Sequence, residues 1–390
     1  MKPSGCSHLH SKPSNSRKFL VIRHVDPGQV VYGGIAYTNS LLAQITNAFP
    51  DTRIEQIFVY GDLNKLKSPA RKVLSILRSL FTRFPAKIEH FMSRQFESSL
   101  RMRLSSEQYD LVIFNGIDVL GYLTLVTQDQ RTLYIAHNWE SSLYRQQIKR
   151  YLSWPLLGYL LKRDLGKLEH FENAGIELID RIVFISSEDA DALGSHSLVR
   201  RSTVIGPTFP YPAYQGGMEG DSHPTEKIRL GFLGNLNWWP NREGVDWFLT
   251  EVFSRLSQTK FELHIFGPGS EAFGNESNIY GHGFVDDLED VWNGIDCMIQ
   301  PIRSGAGVNI KVAETLYNGI PMIGTHLSAR GLSLEKDEAI VLLDDAVAWA
   351  EFIQCDTFPN FLCRRTSAKN QAQFSSKEAA GKLEKLLGKG

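Results

Sequence analysis

The chain has 390 residues, so two domains of about 150–200 residues each are expected rather than one. The net charge of −1 argues against general binding to nucleic acid, and 42% hydrophobic residues are typical of a globular protein. The four cysteines form no CxxC pair and no zinc-like cluster with histidine, which favours a reduced, cytoplasmic protein. Residues 1–17 are polar and predict a disordered leader, and no apolar run approaches the ~20 residues that span a bilayer.

The first half of the chain alternates short β-branched runs with stretches of helical spacing. This alternation predicts an α/β domain with a parallel sheet over residues 18–207. The predicted strands are 18–23, 54–60, 109–115, 131–136 and 180–186, and the clearest predicted helix is 35–48.

A second α/β pattern follows a segment at 208–227 whose proline and glycine content predicts a linker. The second domain is predicted over 228–365, and a helix within 366–390 is expected to pack back on the first domain. The predicted strands are 228–233, 261–266, 297–301 and 321–324, and the predicted helices are 242–257, 288–293, 311–318 and 375–387. Both halves are therefore Rossmann-like.

The segment 300–325, QPIRSGAGVNIKVAETLYNGIPMIGT, predicts a strand, a glycine-rich turn, a helix and a second strand. Gly305 and Gly307 allow a tight turn and a close approach by a ligand. The free N–H groups at the start of the following helix favour an anion, and Lys311 adds a positive charge there. Glu314 can accept hydrogen bonds from the two hydroxyls of a ribose. The segment therefore predicts a nucleotide site.

The same segment resembles the donor-binding motif of the retaining GT-B glycosyltransferases of group 1, the family-four type. The family pattern P-x-R-x-G-x-G-x-x-x-K-x-x-E is matched from Pro301 to Glu314, and 231–248 and 282–292 resemble two further loops of that family. The resemblance implies the GT-B fold, with two Rossmann-like domains facing across a cleft. It also implies transfer of a hexose-type sugar from a nucleotide-diphosphate sugar to an acceptor hydroxyl, with retention, in polysaccharide or surface-glycan synthesis.

The resemblance also assigns residues. It gives catalytic roles to three positions, His137, Lys311 and Glu314. It gives donor-binding roles to the glycine pair Gly33 and Gly34, to Gly234, Asn235, Arg242, Phe284, Val285 and Arg303, and to the turn of Gly305, Ala306, Gly307 and Val308. Phe284 and Val285 would flank the base.

Two positions depart from the family pattern. Ala306 stands where many members carry a glutamate, and Asn235 stands where an arginine is usual, which leaves Arg242 as the nearby base. A nucleotide-sugar epimerase of the same fold and a non-catalytic nucleotide-sugar-binding subunit therefore remain as alternatives. We expect no cofactor and no divalent cation.

Two basic amphipathic stretches, 65–103 and 145–163, lie in the first half. The first has ten Lys/Arg against two Glu, with apolar residues interleaved. Such stretches bind anionic lipid surfaces, so a peripheral position at the inner membrane face and a glycan or lipid-linked acceptor are expected. The alternative is that the apolar faces pack on the sheet.

Overall fold

The computed structural model describes residues 17–26, 33–60, 68–193, 196–216, 227–276, 278–305 and 307–388. Within these ranges the strands form two sheets, one from each half of the chain. Nearly all of the predicted leader and half of the predicted linker, residues 217–226, lie outside the described residues, as does Ala306.

The first sheet is parallel throughout, in the order β2-β1-β3-β4-β5-β6. Its strands are β1 (Arg17–Val25), β2 (Thr52–Tyr60), β3 (Leu111–Asn115), β4 (Thr132–Ala136), β5 (Arg181–Phe184) and β6 (Ser202–Val204). Its helices are α1 (Gly33–Ala48), α2 (Pro69–Phe81), α3 (Ala86–Phe91), α4 (Arg94–Ser106), α5 (Ile117–Leu120), α6 (Glu140–Ile148), α7 (Pro155–Leu178), α8 (Ser187–Asp191) and α9 (His196–Val199), with 3₁₀ turns at Leu123–Leu125 and Lys149–Tyr151. The central strands β3 and β4 are fully buried, as the continuous apolar sequence of a parallel sheet predicts.

The second sheet has the order β13-β12-β11-β7-β8-β10-β9, in which only β9 is antiparallel to its neighbour. Its strands are β7 (Ile228–Leu233), β8 (Phe261–Phe266), β9 (Asn275–Glu276), β10 (Ile279–Gly283), β11 (Cys297–Gln300), β12 (Met322–Gly324) and β13 (Ile340–Leu342). Its helices are α10 (Trp239–Trp247), α11 (Leu288–Asn293), α12 (Ile310–Tyr317), α13 (Ala346–Gln354), α14 (Phe358–Leu362), α15 (Ala368–Ala372) and α16 (Ser376–Leu387), with 3₁₀ turns at Ser270–Phe273 and His326–Ala329.

The helix predicted at 242–257 is not one regular helix. The α-helix α10 ends at Trp247, and a π-helical turn, Phe248–Val252, and a 3₁₀ turn, Phe253–Arg255, follow it. Phe248 and Val252 of the π-helical turn are both buried in the core. Helix α10 starts at Trp239, earlier than predicted, because Pro240 in its first turn favours a helix start.

The C-terminal helix α16 packs against the first sheet and not the second. Leu383, Leu386 and Leu387 are buried with residues of α1 in one apolar cluster. Arg131 donates to the carbonyl of Leu387 at 2.8 Å, and so satisfies one of the free carbonyls at the end of the helix. The chain therefore crosses from one half to the other and back.

Candidate active site

A cleft of about 1830 Å³ lies between the two halves, and residues of both sheets line it. His24 in β1, Asn115 at the end of β3 and Gly234 just after β7 are among them. The carboxyl ends of parallel strands are where open α/β sheets bind ligands. The fold thus aims both sheet edges at one space.

Lys311 places a buried amino group in the wall of this cleft. It is the second residue of α12, and its Nζ donates to Asn241 Oδ1 at 2.8 Å and lies 4.3 Å from the ring centre of Phe232. Among the described residues, no carboxylate forms an ion pair with it. Burial lowers the pKa of Lys311 to about 7, so an anion in the cleft would favour the charged ammonium.

Two glycines make room for this arrangement. A Cβ on Gly234 would lie 2.7 Å from Lys311 Nζ. Gly307 has φ +73° and abuts Asn138 of the opposite half, whose Oδ1 would lie 2.1 Å from a Cβ at that position. Side chains at either position would block the close approach, so the sequence needs glycine there.

The glycine-rich turn leads directly into α12, whose first residues supply free N–H groups. Gly305, Gly307 and Val308 line the cleft beside Lys311, and Gly33 and Gly34 line it from the other side. A helix N-terminus with a lysine in its first turn is an anion site.

Glu314 lies one turn further along α12 and also lines the cleft. Burial raises the pKa of its carboxyl, and the Tyr211 hydroxyl donates a hydrogen bond to its Oε1. Tyr211 was not predicted; it lies in the connection between the two sheets, and the Tyr317 hydroxyl in turn donates to its carbonyl. Tyr211 and Glu314 together present a hydroxyl and a carboxylate where the ribose is expected.

Phe284 and Val285 follow the end of β10 and line the cleft, and more than half of the Phe284 side chain is exposed. Asn235 also lines it, but its side chain is engaged locally, since Oδ1 accepts from the N–H of Asn237 at 2.9 Å. An amide in that role holds the turn after β7 and supplies no positive charge.

Two predicted donor residues do not line the cleft, which corrects their expected position. Arg242 pairs with Asp246 at 2.9 Å, one helical turn away on the surface. Arg303 stacks over the ring of Trp247 at 4.6 Å. Both guanidinium groups thus have partners outside the cleft, which leaves Lys311 as the donor-side cation predicted from the motif. Arg330, which was not assigned a role, lines the cleft instead.

His137 follows β4 and lines the cleft from the first half. Its Nε2 lies 2.8 Å from Asn115 Oδ1, and the ring packs edge-on against Tyr37. Burial, with a smaller contribution from the neighbouring His24, lowers the pKa of His137 to about 4. The imidazole is therefore neutral at pH 7 and acts through hydrogen bonds and shape.

A charged cluster that the sequence did not reveal occupies the same wall. Lys87 Nζ lies 2.6 Å from Glu140 Oε2 and 3.4 Å from Asp118 Oδ1, and all three residues line the cleft. Burial disfavours the charged lysine, but the two carboxylates outweigh this and raise its pKa. Buried Glu172 accepts from the N–H of Glu140 at 2.8 Å, which fixes the first residue of α6.

Direct contacts join the two halves at the rim of the cleft. The N–H of Gly331 donates to Glu188 Oε1 at 3.1 Å, and Arg330 Nη2 lies 3.6 Å from Asp189 Oδ1. Asp189 and Asp191 have Asp-x-Asp spacing, but they lie on different faces of α8. Asp189 is buried and Asp191 is exposed. In the part of the chain that the structure describes, no group of three His, Cys, Asp or Glu could hold a metal ion.

Comparison with known proteins identifies the second half of the chain. Residues 227–355 match the family described as Glycosyl transferases group 1. This segment belongs to the group 1 glycosyl transferases. The match spans β7 to the region after α13 and so includes Lys311 and Glu314, and it confirms the family resemblance seen in the sequence.

Solved structures match the whole two-domain arrangement. The sucrose-phosphate synthase of Thermosynechococcus elongatus covers 95% of this chain and 98% of its own, with a TM-score of 0.67 and 14% identity. Anabaena HepE, solved in complex with UDP-glucose, covers 95% and 99% with a TM-score of 0.58 and 12% identity. A glycosyltransferase from Rickettsia africae covers 96% and 100% with a TM-score of 0.58 and 13% identity. The chain has the GT-B fold that the resemblance implied.

A Klebsiella pneumoniae protein described as an uncharacterized 44.6 kDa protein in the cps region is 22% identical over 309 residues, which are 72% of this chain and 73% of that protein.

Proposed function

We propose that this protein transfers a hexose-type sugar from a nucleotide-diphosphate sugar to an acceptor hydroxyl in the cleft between the two sheets. One observation carries the proposal: Lys311, a cation without a carboxylate partner among the described residues, lies at the start of α12 in the cleft wall, one turn from Glu314. The match of residues 227–355 to the group 1 glycosyl transferases supports the same function.

In the donor complex we propose, the diphosphate lies on the Gly305–Val308 turn and Lys311, and the ribose meets Glu314 and Tyr211. The base lies against Phe284 and Val285. HepE, which shares the fold, was solved with UDP-glucose, so a nucleotide sugar is compatible with a cleft of this architecture.

The proposed mechanism depends on the negative charge that develops on the leaving diphosphate. The bond between the anomeric carbon and the diphosphate oxygen breaks, and negative charge grows on the leaving group. Lys311 and the helix N–H groups are already oriented toward that charge, which lowers the barrier. The acceptor oxygen bonds to the anomeric carbon from the diphosphate side, with retention, and its proton passes to a diphosphate oxygen. Neutral His137 would hold the sugar by a hydrogen bond.

Because Lys311 and the helix terminus supply positive potential, we propose that no divalent cation is required. Activity that disappears with EDTA and returns with Mn²⁺ would contradict this part. The acceptor we propose is a surface glycan or its lipid-linked precursor, met at the inner face of the cytoplasmic membrane. The matched cps-region protein motivates the glycan, and the basic stretches of the first half motivate the membrane.

A product assay tests the proposal. The purified protein would be incubated with UDP-, GDP- or ADP-linked labelled hexoses and a lipid-linked glycan extract, with Lys311→Met as the control. We expect label in the acceptor, and equal release of nucleoside diphosphate, with one donor only. Release of a free epimer without acceptor would favour the epimerase, and binding without any turnover would favour the non-catalytic subunit.

A further inference from the structure

Helix α2 is amphipathic, but it is mounted with its apolar face outward. Its only buried residues are two serines, Ser75 and Ser79. The opposite face carries Val73, Leu77 and Phe81, which are 57%, 50% and 88% exposed. An amphipathic helix of a globular protein normally turns its apolar face to the core. The alternative that these apolar residues pack on the sheet is therefore wrong for α2.

The start of α7 continues this exposed face. Trp154, Leu156 and Tyr159 are 63%, 74% and 66% exposed. Arg163 donates to the carbonyl of Leu80 at 2.7 Å, and Lys167 donates to the carbonyl of Ser79. These bonds hold the C-terminal end of α2 against α7, so both sets of apolar side chains belong to one surface. We call it the α2–α7 face.

The charged residues of the segments that carry the α2–α7 face, 68–88 and 146–163, are all basic. No Asp or Glu occurs in 68–88 or in 146–163. Lys72, Arg78 and Arg83 on one side and Lys149 and Lys162 on the other are exposed. Apolar and aromatic side chains ringed by basic ones complement the headgroups and acyl boundary of an anionic bilayer.

We infer that the α2–α7 face docks on an anionic lipid bilayer, with Phe81 and Trp154 inserted at the headgroup level. The same helix reaches the cleft, since Lys72 and Ser75 line it. A bilayer against this face therefore lies beside the cleft mouth, and a lipid-linked acceptor would enter without leaving the membrane. This position rests on the proposed function, whereas docking itself does not. No helix among the described residues is long and apolar enough to cross a bilayer.

Flotation with vesicles tests the docking. The full chain would be mixed with neutral phosphatidylcholine vesicles and with vesicles containing 30% phosphatidylglycerol, in low and high salt. We expect flotation only with the anionic vesicles in low salt, because screening weakens the attraction. Each basic residue contributes about 1 kcal/mol near such a surface, so Arg78→Glu with Arg83→Glu should weaken binding at least tenfold.

Phe81→Ser with Leu77→Ser should weaken binding similarly without lowering the melting temperature, since both side chains are exposed. Leu178→Ser, at the other end of α7 and 68% exposed, is the matched control and should float like the wild type. Absence of flotation in low salt would overturn the inference, as would equal binding to neutral vesicles. A dimer in sedimentation that Phe81→Ser dissolves, with no lipid binding, would make the face a protein interface instead. Because no donor is present, these results are independent of glycosyl transfer.

Discussion

The two walls of the cleft are encoded differently. The wall that we assign to the nucleotide-sugar donor, called the donor wall, takes Gly305, Lys311 and Glu314 from one strand–turn–helix segment. The wall that we assign to the acceptor, called the acceptor wall, takes Lys87, Asp118 and Glu140 from three short helices, α3, α5 and α6, that are separated along the chain. A site built on one turn shows itself as a spaced motif, whereas a site assembled by the fold does not.

The difference between the two walls predicts that donor and acceptor binding can be changed separately. Changes in the donor wall should affect the leaving group and the nucleotide, and changes in the acceptor wall should affect only the second substrate.

Replacing Lys311 is expected to have the largest effect. Lys311→Met removes the cation that meets charge on the leaving diphosphate, and loss of one such oriented group costs about 10²–10³ in kcat. Steady-state kinetics with saturating acceptor would measure it. Lys336→Met, which removes an exposed lysine of the same half, should keep full activity. Wild-type kcat in Lys311→Met would remove the basis of the proposed mechanism.

Glu314→Ala should act on donor binding. Loss of hydrogen bonds to a charged group costs about 1.5–3 kcal/mol, or roughly 10- to 100-fold in the donor KM. The acceptor KM should stay unchanged. A 2′-deoxyribose donor provides the matched test, since its penalty should be smaller with Glu314→Ala than with the wild type. An equal penalty in both proteins would place the ribose elsewhere.

The donor affinity should fall as pH rises through 7. Free Lys311 has a pKa lowered to about 7, and a bound diphosphate favours its charged form, so binding takes up a proton. A nucleotide sugar has constant charge in this range, and its Kd should rise by about tenfold from pH 6 to pH 8. Calorimetry in two buffers would show the proton uptake. Lys311→Arg should flatten the profile because arginine stays charged; an unchanged slope would assign the titration to another group.

Glu140→Gln is expected to have the smallest effect, confined to the acceptor wall. The carboxylate pairs with Lys87 and is positioned by Glu172, so the amide keeps its shape but loses charge. The acceptor KM should rise by about 5- to 10-fold, with donor KM constant. A rise in the donor KM instead would show that the two walls are not separate.

The sequence allowed much of the fold to be predicted, because nearly continuous apolar strands alternate with helices in both halves. It could not show where side chains point. Arg303 lies inside the motif and Arg242 lies in the loop at 231–248, but their side chains turn to Trp247 and Asp246, respectively. Tyr211 is brought to Glu314 by the connection between the sheets, which has no periodic pattern.

The amphipathic helices also show that the sequence does not reveal which way a side chain points. α16 and α2 both have strong apolar faces, yet α16 buries Leu383 while α2 exposes Phe81. Periodicity predicts that a face exists, but tertiary packing decides which side meets the sheet.

The most direct measurement is thermal unfolding of the wild type and of Lys311→Met with UDP, GDP, ADP and CMP in excess. A ligand at 100 times its Kd stabilises the folded state by about 2.7 kcal/mol, or about 5–10 °C for domains of this size. We expect a shift with one nucleoside diphosphate in the wild type and a much smaller one in the variant. A folded wild type that shifts with none of them, or a variant that shifts equally, would contradict a nucleotide-sugar site at Lys311.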